Sequence, residues 1–189
     1  VDFGILKPAE ELQSELNAVL RDARPYFKRQ NSITESQINL LINAFNKAWD
    51  ARFGRSTGDD PERSRHLDTA LSILDTLFTR GIVALNNEIE GKPFGFEVFV
   101  IDGNLASRVA LSRMFTIKSA QQYIDVWLNG SGLSETEMLN GLLINALRQN
   151  VVFDKENTTR AREALTREVP ATRGMIQSGE KIISRGELV

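Results

Sequence analysis

The sequence predicts an α+β fold dominated by helix: about six helices, a central β-hairpin, and a short C-terminal β segment packed on that hairpin. Three observations predict it. Apolar residues recur at helical spacing in six separate runs. The period drops to two between Phe94 and Ile101. The β stretches are also segregated between blocks of helix rather than alternating with them, which is the α+β order.

The first helix opens at Pro8, with Glu10 and Glu11 in the first turn where carboxylates favour the dipole. It carries Leu12, Leu16, Val19 and Leu20 on one stripe and ends at Pro25. Thr34 and Gln37 have capping-box spacing, with Ile33 and Ile38 at staple positions, so a second helix starts there. Its face is Ile38, Leu41, Ile42, Phe45, Trp49 and Phe53. The polar stretch from Gly54 to Asp60 reads as a loop. Asp60 as N-cap and Pro61 as first helical residue open a third helix, which turns Leu67, Ala70, Leu71, Leu74 and Phe78 inward and stops at Gly81.

Past Gly91 and Pro93, the residues Phe94, Phe96, Val98 and Val100 alternate with Gly95, Glu97, Phe99 and Ile101, giving a strand with apolar residues in both registers. Asp102-Gly103-Asn104 supplies the turn, and Arg108 to Met114 the returning strand. Thr116 caps a fourth helix carrying Ala120, Tyr123, Ile124 and Trp127, broken at Gly130 and Gly132. Ser134 and Glu137 form a second capping box, stapled by Leu133 and Met138, for a fifth helix that buries Leu139, Leu142, Leu143, Ala146 and Leu147. Asp154 caps a sixth helix with Ala161, Ala164, Leu165 and Val169, ended by Pro170. Two short strands, Gly174 to Gln177 and Glu180 to Ser184, then flank Ser178-Gly179. The expected organisation is a single domain over 1–189: helical in 1–90, a hairpin in 91–117, helical in 118–170 and a β tail in 171–189.

With 189 residues the chain can bury its own core, and a net charge of -2 provides no basic field for nucleic acid or anionic lipid. There is no cysteine, which excludes disulfides, thiol nucleophiles, zinc fingers and iron–sulfur clusters. The lone histidine, His66, excludes multi-imidazole metal sites. No phosphate-loop, dinucleotide, nucleophile-elbow or zincin motif occurs, so no cofactor is implied. No apolar run reaches the roughly 18 residues of a membrane span, and the first residue is Val rather than Met, as expected of a processed chain or a segment of a longer one.

The remaining signals have plain structural readings. His66, near the start of the third helix, reads as a solvent or cap residue, and Asp59 with Asp60 as capping rather than a cation site. Arg160, Arg162, Arg167 and Arg173 interleave with Glu163 and Glu168 as a solvated face. Trp49, Trp127, Tyr123 and Phe96 read as core rather than as a ligand pocket.

From Arg173 to Val189 two pairs, Gly179-Glu180 and Gly186-Glu187, bracket Ile182-Ile183, with Gly174 just upstream. Asn150, Val151, Phe153, Asp154, Glu156 and Thr158 follow a pattern of Pro-Asn, hydrophobic, aromatic, Asp-x-Glu-x-Thr, with Gln149 where proline is common. Leu6, Lys7, Glu10, Glu11 and Leu12 form the opening, and Pro25-Tyr26-Phe27 ends the first helix. These features resemble the extracytoplasmic domain of the seven-transmembrane HD hydrolase family, bacterial membrane proteins whose cytoplasmic HD domain hydrolyses cyclic di-AMP. The resemblance implies a domain between the first transmembrane helix and the remaining six, with no catalytic, cofactor or metal-binding residue of its own.

It further implies Asn150, Phe153, Asp154, Thr158, Gly174, Gly179, Glu180, Gly186 and Glu187 as structural or coupling positions, with Lys7 to Leu12 and Gly179 to Val189 as the mechanical junctions. The expected partners are the protein's own flanking transmembrane helices and an unidentified extracytoplasmic ligand or protein, not nucleic acid. The resulting expectation is a non-catalytic sensor or regulatory domain, placed outside the cytoplasmic membrane. From other classes come a stand-alone periplasmic or surface module binding cell-wall carbohydrate or protein, and a small hydrolase using a pair among Glu88, Glu90 and Glu97.

Overall fold

The structure, a computed structural model, describes residues 3–55 and 58–176. The chain divides into two compact units: residues 24–154, and residues 1–23 taken with 155–189. The α+β, mainly helical reading holds, with six α-helices among the described residues.

The 24–154 unit contains a four-stranded sheet built from β2 (Tyr26–Arg29), β3 (Glu97–Asp102), β4 (Leu105–Ala110) and β5 (Val151–Phe153) in the order β4-β3-β2-β5. β3 and β4 form a hairpin where the sequence predicts one, turning at Gly103 with φ 59°, but the returning strand starts at Leu105 and ends at Ala110, and Leu111–Arg113 is a 3-10 turn rather than strand. β2 runs parallel to β3 and antiparallel to β5, so the sheet is mixed. Sequence periodicity names neither β2 nor β5, because each is too short to show an alternation. Val98 and Val100 are buried, and Tyr26 stacks on Phe99 across the other face at 4.8 Å. Phe94 lies outside the strand and is exposed.

The helices of this unit are α2 (Asn31–Phe53), α3 (Pro61–Arg80), α4 (Ile117–Gly130) and α5 (Thr136–Ala146). Leu41, Phe45 and Trp49 are the buried stripe of α2 and meet Leu74, Leu77, Phe78, Ile124, Leu139 and Leu143 in one cluster. A second cluster, with Phe27, Val98, Val100, Met114 and Val151, underlies the sheet. Between them runs a seam of extended backbone, where Ile82 bridges to Phe115 and Val83 to Val151. Ile82 and Phe115 belong to the helical cluster and their neighbours Val83 and Met114 to the sheet cluster. The two-residue period of extended chain places successive side chains in opposite cores.

Two capping predictions agree with the structure and two do not. Asp60 accepts from Arg63 N–H with Pro61 following, and Thr116 forms a full capping box, its partner being Ser119. α2, however, begins at Asn31, upstream of Thr34, because Gln30 N–H is held by Asn150 O and turns the chain directly out of β2. α5 begins at Thr136, and Ser134 faces His66 instead of capping it.

In the other unit, α1 (Ala9–Asp22) packs against α6 (Lys155–Glu168), and β1 (Phe3–Leu6) pairs antiparallel with β6 (Thr172–Ile176). The C-terminal strand therefore does not join the central hairpin as the sequence predicts; its partner is the N-terminal strand in a separate two-stranded sheet. Residues around Ser178-Gly179 and beyond lie outside the described residues.

Phe45 is fully buried and Lys47 exposed two positions on, so Phe45→Ala should cost about 3–5 kcal/mol of folding stability and Lys47→Ala less than about 0.5. Urea titration of both variants checks this, and equal effects would contradict the assigned phase of α2.

Candidate functional site

Helix geometry leaves the last carbonyls of α3 without partners of their own. Phe78 O accepts from two side chains, Arg29 Nη1 and Asn150 Nδ2, the latter at 2.9 Å. Asn150 is completely buried and spends every polar atom of its side chain: Nδ2 also donates to Thr34 Oγ1 at 3.1 Å, and Oδ1 accepts from Ile82 N–H at 2.8 Å. Its backbone exchanges bonds with Gln30 and Ile82. Arg29 continues the network to Asp102 at the end of β3, which in turn accepts from Asn31 Nδ2. Gly81, at φ 97°, completes the corner: a Cβ there would stand 2.7 Å from Val151 Cγ2, so the position requires glycine.

Three of the family-pattern residues share this corner. Phe153 pairs with Phe27 across β2 and β5, their rings edge to face at 5.6 Å, and Asp154 N–H donates to Tyr26 O, closing the end of that strand pair. The chain thus enters the 24–154 unit at β2 and leaves it from the adjacent β5. Thr158 is buried on α6, and Gly174 opposes Ile5 in the β1–β6 register, so neither belongs to the Asn150 network. Gly179, Glu180, Gly186 and Glu187 lie outside the described residues.

The end-strand unit is held by charge as well as by its ladder. Lys7 N–H donates to Ala171 O, and its nearly buried ammonium pairs with Glu15. Arg173 on β6 grips Glu11 on α1, and that hydrogen bond, ahead of the Coulombic attraction, holds the Glu11 carboxyl below the usual carboxylate range and raises Arg173. Arg160 with Glu156 and Arg167 with Glu163 are exposed i,i+4 pairs on α6. The expectation of a solvated basic face holds for them.

His66 departs from its sequence reading. It is completely buried against Trp49. Nδ1–H donates to Glu62 O at 2.6 Å, so Nε2 is the acceptor for Ser134 Oγ and Glu135 N–H, each at 3.4 Å. The signal was available, because His66 extends the stripe of Ala70, Ile73 and Leu77 by one turn. Its role is to tie α3 to the start of α5.

Of the four aromatics read as core, Trp49 and Phe96 are: Trp49 stacks on Phe45, and Phe96 packs on the sheet cluster with Arg24 and Lys92 over its ring. Tyr123 also packs on the helical cluster, against Phe115, while the half-exposed Trp127 does not; the two together line a groove of about 290 Å³ opposite α3. A second recess, about 400 Å³, is walled by Leu85, Ile89, Phe94 and Met114, with Arg80 at its rim. Arg80 is occupied by the carbonyls of Ser112 and Arg113 and by the Phe115 ring. Among the described residues no three His, Asp or Glu side chains gather to hold a metal ion. Glu88 and Glu90 lie in the turn before Gly91, and Glu97 at the start of β3.

The fold is therefore that of a helical α+β domain whose two end strands pair while its larger unit is inserted between them. Residues 7–189 match the family described as 7TM-HD extracellular, and the chain belongs to that family of extracellular domains of seven-transmembrane HD proteins. No curated protein and no solved structure matches it. No helix among the described residues is long and apolar enough to cross a membrane.

The lowered Glu11 pKa fixes a pH dependence. Its contribution is present above the ordinary carboxyl range and is lost as pH falls through the lowered value. The melting temperature of the wild type should exceed that of Glu11→Gln near neutrality, and the gap should close as the carboxyl protonates in acid. A gap that persists unchanged into acid contradicts the pairing.

Proposed function

We propose that the chain is the non-catalytic sensor or regulatory domain of a membrane-bound, HD-type cyclic dinucleotide phosphodiesterase, acting on the outer side of the membrane. The reading is supported by family membership over 7–189 and carried by one observation, the antiparallel pairing of β1 with β6. A protein that signals through flanking membrane helices needs its two ends held in a defined relation. Here Phe3–Leu6 and Thr172–Ile176 form adjacent strands, braced by Lys7–Glu15 and Arg173–Glu11. The 24–154 unit connects to them through β2 and β5, themselves neighbours in one sheet.

Binding in the inserted unit would favour one of two arrangements of the β2–β5 pair. The two covalent crossings would deliver that bias to α1 and α6 together, and so to the end strands. Its size is limited by the ligand's differential affinity for the two states. Lys7 to Leu12 and Gly179 to Val189 are the proposed coupling segments, and the flanking transmembrane helices the partners.

The chain has no cysteine, so a single engineered pair can report on the junction. Leu6 and Thr172 are partners in the β1–β6 register, and Leu6→Cys with Thr172→Cys can be oxidised to lock it. In membranes carrying the full-length protein, oxidation should shift the rate of cyclic di-AMP hydrolysis, and reductant should restore it. The same rate in both redox states, and again after deletion of residues 24–154, contradicts a regulatory role.

A further inference from the structure

We propose that the groove between α3 and α4 is a binding site for a neutral carbohydrate. Its two walls are chemically distinct. On α3, Asp68, Ser72 and Thr76 follow at i, i+4 and i+8 and so form one row, flanked by Thr69. On α4, Tyr123 and Trp127 follow at i and i+4, their ring centroids 6.1 Å apart. Ile73, buried, forms the apolar floor. One wall thus offers hydrogen bonds and the other aromatic surface.

A sugar ring has the matching division, with C–H groups on its faces and hydroxyls around its edge. Stacking a face on Trp127 or Tyr123 covers apolar surface without desolvating hydroxyls, while the edge hydroxyls turn to the α3 row. The polar groups of the groove are available for this. The Asp68 carboxylate, the Ser72 and Tyr123 hydroxyls and the Trp127 indole N–H make no hydrogen bond with any described residue. Thr69 and Thr76 commit their hydroxyl protons to Arg65 O and Ser72 O, which leaves their oxygens as acceptors for sugar O–H groups. The Asp68 carboxylate is an acceptor only, suited to sugar O–H donors. No cation lines the groove, so an anionic sugar would find no counter-charge and would face Asp68. At about 290 Å³ the site is at the small end of organic-ligand pockets.

The inference deepens the regulatory reading by naming the ligand class and rests on that reading for the consequence of binding, not for binding itself. The experiment therefore reads binding alone on the 189-residue chain. Saturation-transfer NMR and tryptophan fluorescence would be recorded with chitobiose, cellobiose and maltose, and with galacturonate and choline as charged comparators. At least one neutral disaccharide should bind; Trp127→Ala, which alters a half-exposed side chain, should weaken it by at least about tenfold. Asp68→Asn should weaken it also, and Phe94→Ala, exposed and outside the groove, should leave it unchanged. The proposal is overturned if no neutral sugar binds, if galacturonate or choline binds in preference, or if binding survives both Trp127→Ala and Asp68→Asn in folded protein.

Discussion

The buried side chain of Asn150 is the point in the 24–154 unit where the sheet meets α2, the end of α3 and the seam together. An amide in an apolar interior is costly unless its donors and acceptor are met, and here they are met by Thr34 on α2, Phe78 at the end of α3 and Ile82 in the seam. Two of these partners are backbone groups left over by secondary structure. Phe78 O has no acceptor role within α3, and Ile82 N–H lies just beyond the Gly81 stop. A single residue thus satisfies the loose ends of several elements. Replacing it by an apolar residue would strip Ile82 N–H and Thr34 Oγ1 of this partner and leave Phe78 O with Arg29 alone, so the loss should exceed that of one ordinary hydrogen bond.

The same residue sits at the start of β5, the strand from which the chain departs toward α6. Asn150, Val151 and Phe153 fix the outgoing crossing against Gln30, Ile82 and Phe27, and Asp154 N–H closes it on Tyr26. The incoming and outgoing chains are therefore clamped to each other and to the helical core at one place. α2 and α3 reach this place directly through Thr34 and Phe78, whereas β4, at one edge of the sheet, reaches β2 only by way of β3. The β1–β6 pair repeats this arrangement at the far ends of α1 and α6.

Much of this is visible in the sequence where the interaction is local. Asp60-Pro61 and Thr116 cap as read because their partners lie within one helical turn. Thr34 and Ser134 carry the same local signature but serve Asn150 and His66, remote residues that outrank the cap. β2 is hidden because Lys28 and Arg29 interrupt any apolar alternation in a four-residue strand. The partner of β6 lies at the opposite end of the chain, so no local rule could choose it over the hairpin. For the candidate site, Asn150 is reached through family resemblance and not through periodicity. Tyr123 and Trp127 show helical spacing that fits core and groove alike, and only the facing α3 row separates the two.

Through its bonds to Thr34, Phe78 and Ile82, Asn150 makes the sheet and the helical layer one cooperative body. Native-state hydrogen exchange reads that cooperativity by comparing the amides of Phe27 and Val98 in the sheet with those of Leu74 and Leu143 in the helices. In the wild type the four should share one slowest opening, and in Asn150→Ala the sheet amides should open at lower free energy than the helical ones. Two separate openings in the wild type, or a shared opening that survives Asn150→Ala, would contradict it.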